Sequence, residues 1–338
     1  MKILFTILLV FITTVYIFCQ GKLIFDDSYV HEIRITSDNE NDFWNILSTD
    51  YLENYPFVPY QMASVEMDGE LLDSIGVRQK GFASHFSAVG NKKSIKLDFN
   101  QFVRGKEYDG LKKINLNNGA GDPSIQRDKL CYDIMNRAGV SSPRTSYSRV
   151  FIDDEYWGLY LVVEQIDKTF IKDNFDNSDG NLLKNNGISE LSWMGADTVA
   201  YQGVFELKTD YKEGAWDDFV GFMDVINETN DNEFEASIGT VFNVERYLKT
   251  LTVDVVTSNW DSYLLHGRNF YLYQDRLSER YDWIPWDYNY AMGGVFYAYD
   301  GGGGVVEIEF PESCLTIMNG SCPYPPSDTI FRRSSAMI

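Results

Sequence analysis

Three short stretches place reactive side chains where a plain apolar core would not hold them. In Lys92-Lys93-Ser94-Ile95-Lys96 the alternation sets Ile95, Leu97 and Phe99 on one strand face and Lys96 on the other. A lysine held on a rigid strand grips a phosphate or carboxylate as a point charge, although an edge lysine that limits aggregation has the same pattern. In Asn259-Trp260-Asp261 an acid follows an apolar run containing Val253, Val255 and Val256. In Trp286-Asp287-Tyr288-Asn289 a second acid follows the strand-like Trp283-Ile284-Pro285. Pairing of 270–273 with 281–284 would bring Asp261, Asn269, Asp287 and Asn289 together. Such carboxylate and amide oxygens suit a hard cation, Mg2+, Mn2+ or Ca2+. Each aspartate taken singly fits a turn or helix cap equally well.

A strand-borne lysine, an acid in a loop and a second acid after a strand are the parts used in phosphoryl transfer. In protein kinases a lysine holds the α/β-phosphates, one aspartate takes the proton of the acceptor hydroxyl, and another holds the metal bridging the phosphates. The spacing here is different. An ordinary kinase places an asparagine five positions after its catalytic aspartate, whereas here that position is His266 and Asn269 comes later. GxGxxG, HRD and DFG are all missing from the sequence, which excludes ordinary kinase membership.

The frame for these residues is read from hydrophobic periodicity. Residues 63–115 alternate as strands, with 64–67 ending at the turn pair Asp68-Gly69 and 73–80 ending at Gly81. Asp122-Pro123 opens a helix that Gly139 closes, with Cys131, Ile134, Met135 and Ala138 on its apolar side. Strands at 148–152 and 158–164 flank a turn at Asp153-Asp154. Residues 215–265 read as helical through Trp216, Phe219, Val220 and Met223, and 270–273 and 283–285 as a strand pair. The first half is thus expected to be strand-rich with one prominent helix, the second mostly helical with one hairpin.

The chain has 338 residues, with 29 basic against 50 acidic side chains and a formal charge of −21. That length favours one large domain or two closely packed lobes. Hydrophobic residues at 44% and aromatics at 15% suffice for a packed core and exclude global disorder. The acidic balance argues against a nucleic-acid partner, which needs clustered Lys and Arg. It leaves a nucleotide ligand open, because a local basic pocket or a bound divalent cation inverts the field. With only His31, His85 and His266, a His-rich zinc site is excluded and acid–base work falls mainly to carboxylates. Lys2 and the uncharged run 3–19 read as a signal peptide over residues 1–20, and Thr6, Thr13 and Thr14 make the run a poor membrane span. No long apolar run follows, so no stable membrane span is expected after its removal. Cys314 and Cys322 permit a small disulfide loop, and Cys131 reads as a buried thiol.

Taken in order, these stretches resemble the CotH family, the spore-coat-protein-H type of atypical secreted kinases, from about Ser64 to Gly294. The matching segments are Gly76-Val77-Arg78-Gln79-Lys80-Gly81, Lys92-Lys93-Ser94-Ile95-Lys96-Leu97 and Gln126-Arg127-Asp128-Lys129-Leu130. Further on come the run Asp154-Glu155-Tyr156-Trp157-Gly158 through Val162-Val163-Glu164, then Asn269-Phe270-Tyr271-Leu272-Tyr273 and Ile284-Pro285-Trp286-Asp287.

The resemblance implies an α+β, divergent two-lobed protein-kinase-like fold. A strand-rich N-terminal lobe would cover about 27–164 and a mainly helical C-terminal lobe about 165–338, together one domain over 21–338. It also implies phosphorylation of Ser, and by extension Thr, hydroxyls of a Ser-rich extracytoplasmic protein, with ATP as co-substrate and Mg2+ or Mn2+ as cofactor, in a secreted or cell-surface setting. By position, Lys96 resembles the phosphate-holding lysine, Asp261 the catalytic aspartate, and Asp287 the metal-binding aspartate. Asn269 is similar to an asparagine that takes a second metal. Arg78 is implied as a nucleotide contact, Asp128 as the ion partner of Lys96, and Glu164 as a group passing the adenine. The loop 81–90 would cover the phosphates. The sequence departs at Lys80, where members often carry a second Arg, since a lysine cannot fork onto phosphate. The family also includes adhesins and coat components, so a non-catalytic surface protein is the competing expectation. A glycan hydrolase using Asp261 and Asp287 as its acid pair is a third, and it gives Lys96 no role.

Overall fold

The computed structural model describes residues 20–37, 42–88, 90–209, 214–259 and 261–292, together with the backbone of 297–299 and 305–307. Apart from Gln20, the expected signal peptide lies outside the described residues, as do Trp260, the 301–304 glycine run, Cys314 and Cys322.

Strand β1 (His31–Thr36) and helix α1 (Phe43–Asn54) precede a hairpin of β2 (Gln61–Met67) and β3 (Glu70–Gln79). Its turn residues Asp68 and Gly69 both have positive φ, 50° and 89°, a two-residue turn whose twist suits antiparallel strands. Helix α2 (Ala83–Ser87), β4 (Ile95–Asp98), β5 (Lys113–Asn117) and α3 (Arg127–Arg137) follow, then the hairpin of β6 (Thr145–Ile152) and β7 (Glu155–Glu164). The expected turn at Asp153-Asp154 is present, again with both φ positive. Helix α3 starts later than its Asp122-Pro123 signal suggests. The Asp122 carboxylate accepts the N–H groups of Ser124 (3.1 Å) and Arg127 (2.8 Å), and Ile125 has a φ of 55°, so the chain turns once before it coils.

The seven strands close into a barrel of order β1-β2-β3-β4-β5-β7-β6. Closure comes from β1, which pairs antiparallel with β2 and parallel with β6, His31 standing opposite Ser148. Alternate residues fill the interior, among them Ile33, Val65, Val77, Ile95, Leu97 and Ile114. The intervening Arg78, Lys96, Asn115 and Asn117 face outward, with Lys80 just beyond β3.

The rest of the chain forms α4 (Lys168–Asn174), β8 (Asn181–Asn185), α5 (Val199–Gln202), β9 (Phe205–Leu207), α6 (Ala215–Glu228), α7 (Asp231–Val241), α8 (Val244–Val256), α9 (Tyr263–His266), β10 (Phe270–Gln274) and β11 (Tyr281–Pro285). A short pair, β12 (Tyr297–Tyr299) and β13 (Val305–Glu307), comes last. The hairpin expected from 270–273 and 281–284 forms, Tyr271 opposite Ile284, inside a sheet of order β11-β10-β8-β9. One face of this sheet packs on the helices through Leu183, Phe270, Leu272 and Trp283; the other carries Leu182, Tyr271, Tyr273 and Ile284.

These features correct the expected architecture. The protein is mixed α+β, but it is not a two-lobed kinase-like arrangement of a strand-rich half and a helical half. The first sheet is a closed barrel, the second half holds a four-stranded sheet of its own, and one core joins Cys131, Tyr132, Met135, Leu161 and Val163 to Val253, Tyr288 and Ala291. Among the described residues no helix is long and apolar enough to cross a membrane.

Candidate functional site

The outer face of the barrel supplies one wall. Strand register sets Arg78 beside Lys96 and Lys96 beside Asn115. The Lys96 amine donates to Gln165 Oε1 at 2.6 Å, and Asn115 Nδ2 donates to the same oxygen at 3.2 Å. One step along, the Lys80 amine donates to Asn117 Oδ1 at 2.7 Å and lies 5.7 Å from the centre of the Trp286 ring. From the second sheet comes Lys184, cross-strand neighbour of Tyr271. Burial pushes all three amines down. Lys96 is pushed further by the charges of Arg78, Lys113, Lys80 and Lys208, and Lys184 by Lys208 and Arg78. Acids answer part of this charge: Lys113 pairs with Asp98 at 3.0 Å and Lys208 with Glu206 at 2.7 Å, and Asp167 lies within the field of Lys96.

The opposite wall is short of positive charge. Asp128, in the first turn of α3, accepts the backbone N–H of Tyr288 at 2.5 Å and a hydrogen bond from Asn117. Asn117 therefore links Lys80 to Asp128. Asp287 follows β11 with a φ of 63°, a region that L-residues rarely adopt. Its N–H donates to Tyr132 Oη at 2.9 Å, and its carboxylate accepts the N–H of Asn289. The next residue, Tyr288, is clamped in turn, its hydroxyl donating to Asp254 Oδ1 of α8 at 2.6 Å. Anchored on both sides, the backbone keeps Asp287 turned into the site.

Asp261 stands in the turn after α8, with Asn269 Nδ2 donating to its Oδ2 at 3.0 Å and Arg268 Nε at 3.4 Å from Oδ1. Burial raises all of these carboxyls. Asp261 raises Asp287 further, and Asp287 raises Asp128, against the pull of Lys80. Asp254 is pushed up to about 7 by burial, against the hydrogen bonds of Tyr288 and Asn259.

A hard divalent cation fits this donor set. Asp261 and Asp287 repel one another, and Asn289 Oδ1 is buried with no hydrogen-bond partner among the described residues. Asn269, bonded through its amide nitrogen to Asp261, brings a further amide oxygen. Among the described residues no three Asp, Glu, His or Cys side chains gather tightly enough to hold an ion unaided. An ion here would also need amide and ligand oxygens, which is how Mg2+ is usually held.

The structure thus gathers Asp261, Asn269, Asp287 and Asp128, and sets Lys96 and Arg78 within the range of the Lys80 charge. Two expectations need correction. The cation whose charge acts on Asp128 is Lys80, with Asn117 hydrogen-bonded to both, while Lys96 donates to the Gln165 amide and lies near other cations and Asp167. Glu164 has its carboxylate taken by Arg144, at 3.0 Å from Nε and 2.5 Å from NH2, and is almost fully buried. No oxygen of that side chain is left facing a purine. The segment after Lys80 is tied down by Asn118 Nδ2, which donates to Ser84 O at 3.3 Å and Lys92 O at 2.8 Å, and by the Lys93 amine on His85 O at 2.7 Å. Sequence reasoning missed the central place of Lys80 and the roles of Asn117 and Lys184. For Lys80 the signal was strand parity: it shares the outward phase of Arg78.

The family model described as CotH kinase protein matches residues 77–316, a span holding every site residue named above. The chain belongs to the CotH family. Over 209 residues it is 28% identical to the Inner spore coat protein H of Bacillus subtilis (strain 168), covering 60% of this chain and 55% of that protein. It is 24% identical over 164 residues to Invasin CotH2 of Rhizopus delemar, covering 46% of this chain and 27% of the invasin. With Invasin CotH3 of the same organism the identity is 20% over 191 residues, covering 54% of this chain and 32% of that protein. This CotH chain therefore spans about half the length of the coat relative and less of the invasins.

Proposed function

We propose that this CotH-family chain transfers the γ-phosphoryl group of ATP to serine hydroxyls of a protein, using Mg2+ or Mn2+, at a cell coat or surface. The observation that carries the reading is the buried cluster in which the charges of Arg78, Lys80, Lys96 and Lys184 act on one another and Lys80 and Lys184 face Asp287, beside Asp128 and Asp261. A polyphosphate carrying a divalent cation complements both sides at once, which neither a simple anion nor a glycan does.

In this reading Lys96, Arg78 and Lys184 would hold the phosphate chain, while Asp287, Asn269 and Asn289 would hold the cation. When bound, the cation neutralises charge on the phosphate oxygens. Lys80, fixed by Asn117 between the acids, keeps Asp128 and Asp287 apart in charge and in position. Asp261, raised by burial, accepts the proton of the serine hydroxyl as its oxygen bonds to the γ-phosphorus and the bond to the leaving β-phosphate oxygen breaks. Most of the rate comes from positioning and charge neutralisation.

The test is transfer of labelled phosphate from ATP to a Ser-rich peptide with Mg2+ or Mn2+. Transfer by the wild type and its loss in Asp261→Ala are expected; no transfer, or equal transfer by both, removes the reading. The relatives, a coat protein and two invasins, support the second reading of a non-catalytic surface protein. A thermal shift with Mg-ATP that disappears in Asp287→Ala favours the phosphotransferase, and a flat response favours the surface protein.

A further inference from the structure

Lys96 is held by a neutral partner. Its amine donates to Gln165 Oε1 at 2.6 Å, and Asn115 Nδ2 reaches the same oxygen at 3.2 Å. Gln165 is 8% exposed and its amide is engaged on both sides: Nε2 donates to Ile166 O at 2.9 Å, and a further hydrogen bond joins the amide to the Tyr271 hydroxyl. These partners fix its orientation, because a flipped amide would turn its NH2 group against the donors of Lys96 and Asn115. The carboxylate in range of Lys96, Asp167, is committed elsewhere. Its Oδ1 caps α4 by accepting the N–H groups of Thr169 at 2.8 Å and Phe170 at 3.4 Å. The remaining charges that act on Lys96 are positive: Arg78, Lys80, Lys113 and Lys208, the last two paired with Asp98 and Glu206. Lys96 and its cross-strand neighbour Arg78 both keep part of their surface open to solvent. An amide oxygen holds an ammonium in place without cancelling its charge, whereas a carboxylate does both.

We propose that Gln165 is the positioning residue for Lys96: it fixes the ammonium on the outer face of the barrel and leaves its charge for an incoming polyphosphate. The inference rests on the phosphotransferase reading and deepens it by naming the group that makes the lysine available to the anion. A carboxylate of the same shape at position 165 would take Lys96 as an ion pair and close this part of the site to phosphate.

The experiment is a calorimetric titration of inorganic triphosphate into the full chain without divalent cation, which reads the site apart from catalysis. Lys96→Met is expected to weaken binding about ten-fold. Gln165→Met, which keeps the side-chain length and removes the acceptor, is expected to weaken it about five-fold in the wild type and to add nothing in the Lys96→Met background, since the glutamine acts through the lysine. A merely structural role gives losses that multiply. Gln165→Glu is expected to weaken binding by more than about ten-fold, and it decides the matter if the Met variant does not fold. Multiplying losses, triphosphate bound by Gln165→Glu as tightly as by the wild type, or a wild type that binds no triphosphate each overturns the proposal. Phosphate transfer to a Ser-rich peptide is followed alongside. The expected coupling without transfer upholds the role of Gln165 and removes the phosphotransferase reading; transfer with multiplying losses does the reverse.

Discussion

Lys80 and Lys96 leave the outer face of one barrel from neighbouring strands, both buried and both pushed down by burial, yet they meet opposite surroundings. Lys96 sits at mid-strand among Arg78, Lys113 and Lys208, with an amide oxygen as its acceptor. Lys80 sits past the strand end, where α3 and the segment after β11 bring Asp128 and Asp287. Desolvation is common to the two, so it cannot distinguish their tasks; the neighbouring charge does. Around Lys96, Lys113 and Lys208 are paired with Asp98 and Glu206, which leaves Lys96 and Arg78, with Asp167 in range, as the charges an anion would meet. Lys80 instead feels Asp128 and Asp287 and marks the boundary with the cation-holding acids.

The comparison is broken most sharply by removing each amine. Lys80→Met leaves Asp128 and Asp287 facing one another without their shared cation, and transfer is expected to fall by more than about 100-fold through kcat. Lys96→Met removes one of several phosphate-side charges and is expected to raise KM for ATP about ten-fold with kcat little changed. Similar kinetic signatures for the two variants would contradict the division.

Asp254 sharpens the contrast from the acid side, where burial works against the hydrogen bonds of Tyr288 and Asn259. Its folded-state pKa, raised from 3.8 to about 7, means the native state holds the proton more tightly than the unfolded chain. Its stabilising contribution is full below pH 4 and disappears as pH rises to about 7. Asp254→Asn keeps an acceptor for the Tyr288 hydroxyl and removes that titration. Denaturant unfolding should therefore show the variant gaining on the wild type by roughly 4 kcal/mol between pH 4 and pH 8. A constant difference across that range would contradict the assignment. The smallest effect is expected at Glu164→Gln. Weakening its bond to the half-exposed Arg144 should cost about 1 kcal/mol of stability, read by denaturant unfolding, and leave KM for ATP unchanged.

Much of this site was legible where the signal is local. Alternation gave the strand carrying Lys96, Asp68-Gly69 gave the turn between β2 and β3, and the pairing of 270–273 with 281–284 brought Asn269 and Asp287 together as the pattern required. What the pattern could not supply is non-local. Parallel pairing of His31 with Ser148 closes the barrel across more than a hundred residues, and no short-range feature announces it. The parity of Arg78, Lys80 and Lys96 predicts that all three face outward. Which of them meets an acid depends on where α3 docks, and that is fixed by the shared core of Tyr132, Leu161 and Tyr288. Glu164 is the converse case. A buried carboxylate at a strand end resembles a ligand group until Arg144, at the head of the neighbouring strand, is seen to neutralise it.

The most direct measurement is a calorimetric titration of ATP, with and without Mg2+, into the wild type and Asp287→Asn. The two-walled cleft predicts one site whose affinity rises at least ten-fold when Mg2+ is present, with that gain missing in the variant. Binding that ignores Mg2+, or that is the same in both proteins, would contradict a cleft built for a metal-bearing polyphosphate.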